Sequence, residues 1–408
     1  MRLTLSGCMT SFFRMRHIPY NILLKFFSPL IFLLMSSTTF AYPDFIAYGY
    51  RSCITCHYSG SGGGGINDYG RAVWASEITS KSIFHRKKTD EQMAESSGFL
   101  GKTQLPWWIR PGVKYRGLYL VRDPGSKNSI DRWINMQGEV NAAVFLDQDQ
   151  KYTLYGSYGY RPLPERFQNG ALKKPEEWIT REHYIRVRYR DDLYLYAGLM
   201  DKTFGIKNVD HTGFNRRFTQ LTMDDQSHGI LAHLIKDTYE FTGQMFVGNL
   251  QQDEELRPQG ASFHFDRALG EKSAYGVSFL TQKNDFTERQ MVSTQYRAGL
   301  REKGNGFLAE IGLVDEKPKG SSSVMGVYSF LESMSRLAKG HHLLIKFETW
   351  KPDVKTADNE TYRYGMGFLS FPWAKTEFRL DVYNQRTIVP AQANQDTWIV
   401  TGQLHLSL

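Results

Sequence analysis

From Trp107 onward the chain falls into short segments in which apolar and polar side chains alternate, and no sequence-wide helical period competes with that pattern. Clear examples are Leu193-Tyr194-Leu195-Tyr196-Ala197-Gly198-Leu199, Leu343-Leu344-Ile345-Lys346-Phe347-Glu348, Phe378-Arg379-Leu380-Asp381-Val382 and Val400-Thr401-Gly402-Gln403-Leu404-His405-Leu406. Successive strand residues point to opposite faces, so each segment has one apolar face and one mostly polar or charged face. Charged residues at every second position are costly against lipid, which turns them inward. The segments are about ten residues long, the length of a tilted membrane strand. The chain parses into approximately sixteen of them.

Their connections alternate between tight and long. Tight ones are expected near Asp147-Gln148-Asp149, Asp191-Asp192, Asp237-Thr238, Gly270-Glu271, Lys303-Gly304, Lys339-Gly340 and Pro372-Trp373, with longer ones over 161–180, 201–227, 251–258, 351–360 and 385–396. Bacterial outer-membrane barrels pair short periplasmic turns with longer external loops. This parity predicts an all-β, porin-like, up-and-down antiparallel transmembrane barrel over 105–408, in contact with outer-membrane lipid and with both termini in the periplasm. A soluble β-sandwich shares the composition, 14 % aromatic residues with 36 Gly, but gives no reason for the alternation. The last segment turns Trp398, Val400, Gly402, Leu404, Leu406 and Leu408 outward, ending on a leucine where barrels usually end on an aromatic.

One apolar stretch precedes all of this, around Phe26, Phe27, Leu30, Ile31, Phe32, Leu33, Leu34 and Met35. Arg14, Arg16 and Lys25 lie before it and Thr39-Phe40-Ala41 after it, the order of a secretory signal peptide over 1–41. It is shorter than the roughly 20 residues a spanning helix needs. Cys8 follows no apolar run, so it does not read as a lipid-acylation site. The net charge of +8 includes leader residues, and no basic block interleaved with aromatics points to nucleic acid.

With the leader removed, the remaining cysteines are the pair in Cys53-Ile54-Thr55-Cys56-His57. Two thiols at this spacing can form thioethers with the two vinyl groups of one haem, and the adjacent His57 then serves as the proximal iron ligand. Zinc would need further ligands, a thioredoxin-type pair would need a βαβ context, and a plain disulfide remains open in an oxidising compartment. Phe45, Tyr48, Tyr50 and Tyr58 offer aromatic surface beside the motif. The run from Gly60 to Gly65, broken by Ser61, allows close backbone approach. Asn67-Asp68-Tyr69-Gly70-Arg71-Ala72-Val73-Trp74 reads as a turn entering a short helix, with Arg71 placed to pair with a propionate and Trp74 to pack on the ring. Distal-ligand candidates are His85, Met93 and His211. Residues 42–104 thus form a small, mostly irregular and helical haem c segment, too short to enclose its cofactor alone, and the barrel is the surface it would lean on.

Within the barrel, Arg186, Arg188 and Arg190 share one face of one strand and are expected to line the pore, with Lys346 and Arg379, against Glu182, Glu310, Glu348, Glu377 and Asp381. Such a stripe favours anions, binds propionates or pairs with carboxylates. The longest connection, 203–227, mixes apolar and charged residues and is expected to fold into the lumen as a constriction.

From Tyr48 through the glycine run to Arg71 the chain resembles the Gram-negative outer-membrane β-barrel proteins with an N-terminal mono-haem cytochrome c segment. It is loosely similar to porin–cytochrome conduits, which carry many haems where this chain has one attachment motif. The resemblance implies one covalent haem c on Cys53, Cys56 and His57, and architecture more than activity. Three functions follow as expectations: electron transfer at the periplasmic mouth with a periplasmic electron carrier; a channel for small solutes, anions among them, with a structural or redox-sensing haem; and a haem enzyme. The first two weigh more than catalysis, because no nucleophile triad, phosphate loop or paired-carboxylate motif is present.

Overall fold

A computed structural model describes residues 46–81, 87–101, 105–127, 129–160, 166–168, 171–173, 178–208, 210, 212–300 and 302–408. The expected leader over 1–41 and the distal candidates His85 and His211 lie outside the described residues, as does Phe45. The described residues belong to one compact unit.

Sixteen strands among the described residues close into an antiparallel barrel. In chain order they are β1 Ile109–Arg122, β2 Ile130–Phe145, β3 Tyr152–Tyr160, β4 His183–Arg190, β5 Leu193–Met200 and β6 Ser227–Ile235. There follow β7 Tyr239–Phe246, β8 Gln259–Ala268, β9 Ser273–Lys283, β10 Thr287–Gly299 and β11 Gly306–Pro318. The last five are β12 Val324–Ala338, β13 His341–Lys351, β14 Thr361–Ser370, β15 Thr376–Thr387 and β16 Gln395–Ser407. Each pairs with its sequence neighbours, and β1 pairs with β16 from Lys114↔Ser407 to Arg122↔Ile399, which closes the ring. All seven expected tight connections fall between strands at one end of the barrel. The opposite end carries the long connections, but also two short ones at 284–286 and 319–323. Strand β1 begins and β16 finishes at the tight-turn end.

The outer surface is an apolar belt. Val140, Ile230, Ile345, Met366 and Leu380 are exposed along the inner part of their strands, and Ile345 faces Met366 across the β13–β14 pair. Exposed aromatics sit toward both rims: Trp107, Tyr189 and Trp373 at the tight-turn end, Tyr119, Trp133 and Trp398 at the other. Apolar surface this continuous is an aggregation liability in water and the expected finish against hydrocarbon with interfacial aromatic girdles.

The described residues of 46–101 do not form a free-standing domain. They cap the tight-turn end and enter the lumen. Helix α1, Asp68–Val73, continues as a wide turn over Trp74–Ile78, and α2 spans Asp90–Glu95 with a Thr89/Gln92 capping box. Ala47, Tyr48, Val73, Trp74 and Ile78 bury against Met334, Leu344, Leu369 and Phe371 of the barrel. The tight turns hold the segment: the Gly304 amide donates to the Ala47 carbonyl (2.9 Å), Ser80 to Phe371 (2.9 Å), Arg51 to Asp237 (3.1 Å), and Lys339 pairs with Asp90 (2.9 Å). Gly340 has φ +80°, and a Cβ there would lie 2.4 Å from the Ser80 nitrogen, so this turn requires glycine both for its conformation and for contact with the segment.

From the opposite end the described residues of the 201–226 connection fold inward, as its composition predicts. Phe204, Ile206, Phe214 and Leu221 are buried against the inner wall. Its backbone is held by wall carboxylates, Ile206 N–H donating to Glu310 (2.9 Å) and Phe214 N–H to Glu348 (2.7 Å). Asp210 accepts from Lys346 (2.8 Å) and lies 3.8 Å from Arg363.

The belt predicts that Ile345→Arg destabilises the barrel refolded in lipid vesicles by about 2–4 kcal/mol. A Glu271→Arg control on a tight turn should stay within about 0.5 kcal/mol. Urea titrations followed by tryptophan fluorescence read both, and a neutral Ile345→Arg would mean that this face does not meet lipid.

Candidate functional site

The segment and the infolded connection meet inside the barrel around a cavity of about 290 Å³, just under the usual lower bound of roughly 300 Å³ for ligand pockets. Cys53, Cys56 and His57 all border it. They share one helical turn, in which the His57 amide donates to the Cys53 carbonyl (2.9 Å). That turn is tied down by Asn67, whose side-chain amide donates to the carbonyls of Ile54 (3.3 Å) and Thr55 (3.0 Å) and whose carbonyl oxygen caps α1 at Gly70 (2.8 Å). A Cβ on Gly70 would meet the Cys56 carbonyl oxygen at 2.4 Å, so glycine is what lets α1 cross the motif closely.

Between His57 and Ile66, which pair as a β-bridge, the glycine run projects into the lumen. Cβ atoms on Gly63 and Gly64 would press on Glu182, Asp201 and Lys207, and Lys114 donates to the Gly64 carbonyl. The run is therefore a side-chain-free probe reaching an ionic cluster.

The two thiols are unbridged. Burial pushes Cys53 up to about 11 and Cys56 to about 12, so both are protonated thiols at neutral pH. His57 is half-buried, its open side facing the cavity rather than bulk water. Desolvation, with the charges of Lys114 and Lys207, pushes its imidazole down to about 3, against a smaller opposing hydrogen bond with the Gly63 backbone. The ring is thus neutral, the form in which histidine binds metals, and its Nδ1 is buried without a hydrogen-bond partner. Two unbridged thiols, a neutral imidazole with an orphan nitrogen and a bare glycine rim fit a covalently held haem.

The structure places the remaining expected residues variously. Trp74 and Tyr50 border the cavity. Tyr58 packs instead into a tyrosine wall, 6.2 Å from Tyr155 and 6.0 Å from Phe145, and Tyr48 bonds His342. Arg71 is buried but donates to the Pro111 carbonyl (2.7 Å) and does not border the cavity. The cations that border it are Lys114, Arg116, Arg181, Lys202, Lys207, Arg216 and Arg297 along with Arg51. Met93 is buried within the helical part of the segment, away from the lining. Arg186, Arg188 and Arg190 climb out of the lumen: Arg186 lies over the Tyr58 and Tyr194 rings, Arg188 donates to the Asp149 carbonyl on a tight turn, and Arg190 pairs with Asp192 at the rim.

No protein-family model and no curated protein matches the chain. Solved structures match its fold. Pseudomonas putida OprB aligns with a TM-score of 0.56 at 8 % identity, covering 74 % of this chain and 94 % of its own. The anion-selective porin from Comamonas acidovorans aligns at 0.54 and 6 %, covering 74 % and 99 %, and OmpT, an outer membrane protein of Vibrio cholerae, at 0.54 and 8 %, covering 75 % and 99 %. At these identities the likeness is one of fold, the porin-like barrel.

Three lining residues with ligand chemistry went unnoticed at the sequence level: Met223, His264 and His405. The alternation that turns Leu404 and Leu406 outward already turns His405 inward. What linear pattern lacks is height along the barrel axis.

Asn67→Ala removes a cap and two backbone bonds, a loss of about 2 kcal/mol. Amides of 54–66 should then exchange with solvent roughly 30-fold faster while the strands stay protected. Unchanged exchange would show that Asn67 does not tie the motif to the helix.

Proposed function

We propose that the chain is an outer-membrane barrel that carries one haem c inside its tight-turn end and exchanges electrons there with a soluble periplasmic one-electron carrier. The observation that carries this reading is the convergence of the unbridged Cys53 and Cys56 thiols and the His57 imidazole on one cavity walled by the barrel. A haem bound there supplies a one-electron couple whose potential answers to its ligands and surroundings. Cys53 and Cys56 would hold it by thioethers and His57 by its imidazole.

The rest of the site does the work of enclosure. Tyr50, Trp74 and Phe371 give the cavity apolar walls that keep water away, and the Lys114, Arg116 and Arg181 side chains offer cations to carboxylates brought in with the ring. Cys53 sits close to the rim. Its neighbour Ser52 donates to Glu240 (3.1 Å), and Arg51 reaches the 236–238 turn, so a carrier approaching from the tight-turn side meets this part of the segment first. Segment and infolded connection fill the lumen from both ends, which favours electron exchange over bulk solute passage.

Haem staining of denatured outer-membrane fractions tests cofactor, covalency and location together. Wild-type chain should stain at its own mass. Cys53→Ala with Cys56→Ala should abolish the stain while the barrel still reaches the membrane, and His57→Ala should keep the stain but change the Soret band. A wild-type chain without stain would remove the haem from the account, and conductance of single channels at porin levels would restore the channel reading.

A further inference from the structure

We propose that His405 of β16 is the distal protein ligand of the haem iron. The inference rests on the reading that Cys53, Cys56 and His57 hold a haem, and it names a residue that the CxxCH motif does not reach.

Four described side chains bordering the cavity carry an imidazole or a thioether: His57, Met223, His264 and His405. Two of the three not in the motif are already engaged. The ring nitrogens of His264 both have partners, Nε2 with Asp266 Oδ2 (2.7 Å) and Nδ1 with Ser278 Oγ (2.8 Å) and Gln295 (3.0 Å). The Met223 thioether accepts from Arg116 Nη1 at 3.6 Å. His405 differs. Its Nε2 is buried with no hydrogen-bond partner, and its Nδ1 lies 3.5 Å from Glu377 Oε2, loose for a hydrogen bond but held on the carboxylate side.

That arrangement is the one metal-binding histidines use. A carboxylate behind one ring nitrogen fixes the proton on that side and leaves the lone pair of the other for the metal. Glu377 is the cross-strand register partner of His405, so the orientation is set by the sheet itself. Other buried polar atoms on this wall also lack partners, Trp74 Nε1 and Arg116 Nε among them, but those are donors with no lone pair to give. An imidazole nitrogen kept bare on the wall of the cavity that also holds His57 is accounted for by a ligand that needs a lone pair. The docking agrees: the Trp74 ring, carried on the same segment as Cys56 and His57, lies 6.4 Å from the His405 ring. Gln137, Arg116, His405 and Glu377 are register partners on β2, β1, β16 and β15, a row of polar side chains lining the cavity across the seam where the barrel closes.

The full chain, purified from outer membranes in detergent, decides the matter by absorption and electron paramagnetic resonance spectra. Wild type should be low-spin and, when reduced, should not take up carbon monoxide within the mixing time. His405→Ala should keep covalent haem stain at the wild-type level yet turn high-spin and bind carbon monoxide. His405→Met, which keeps bulk and a ligand atom on the closing strand, should stay low-spin with a raised midpoint potential. His264→Ala should leave the wild-type spectrum intact. A stained His405→Ala protein that remains low-spin and inert to carbon monoxide overturns the assignment while leaving the haem in place. A wild-type chain without covalent haem overturns the underlying reading as well, and the stain tells the two failures apart.

Discussion

Closure of β1 on β16 is the contact on which the rest depends. An open sheet of sixteen strands would leave two unpaired edges, intolerable in hydrocarbon because each bare N–H and C=O costs several kcal/mol there. The register from Lys114↔Ser407 to Arg122↔Ile399 removes both edges. It also makes an inside. Alternation then sorts every strand at once, apolar residues to the belt and charged ones to the lumen, and the seam itself places Arg116 beside His405 and Lys114 beside Ser407 on the cavity wall.

An interior of this kind must be paired or wetted. The lumen solves the problem with charge networks rather than isolated bridges. Lys346 pairs with both Asp210 and Glu332, Arg379 with Glu332 and Asp381, and Arg363 with Glu348. Removing one member of such a buried set leaves an uncompensated charge, at about 3–5 kcal/mol. Asp210 belongs to the infolded connection, so the network that neutralises the wall also latches the loop. At the other end the segment contributes the opposite chemistry, backbone without side chains. Glycines 63 and 64 reach the Glu182–Lys207 region where a Cβ would collide, and the carbonyl of Gly64 supplies an acceptor to Lys114.

Much of this was legible in the sequence because its causes are local and periodic. Strand number, the seven tight turns and the inward set Glu310, Lys346, Glu348, Arg379 and Asp381 follow from period-two patterning with turn chemistry. The infolding of 201–226 follows from an excess of apolar residues in a connection too long to be a mere link. What stayed hidden depends on height along the axis, which a repeat of two does not encode. Arg186, Arg188 and Arg190 are expected on one face, but a register shift separates Arg188 from Arg190, and alternate positions step about 7 Å along the strand, enough to carry the stripe from the tyrosine wall to the rim. The same blindness concealed His405: inward by parity, like a score of others, it acquires its meaning from where the segment happens to dock. Arg71 and Tyr58 are expected from the motif to face a porphyrin; where the segment docks, Arg71 meets the Pro111 carbonyl and Tyr58 the Phe145 and Tyr155 rings, partners that no linear pattern names.

The plugged lumen also bears on which function the scaffold can serve. Solute flow requires a continuous wet path, and at both ends of this barrel described residues fold into the lumen and are held there by buried side chains and hydrogen bonds. Electron exchange asks for less: a cofactor held rigidly, shielded from water, near a surface that a partner can touch. For a haem held as proposed, the described residues of 46–101, tied to four tight turns, would supply the rigidity, their contacts with Met334, Leu344 and Phe371 the dryness, and their position at the rim the access. On the proposed reading, a segment too short to enclose a haem alone gains its missing walls from the barrel. The barrel, in turn, gains a stopper whose removal would expose the buried charges of its lumen to water.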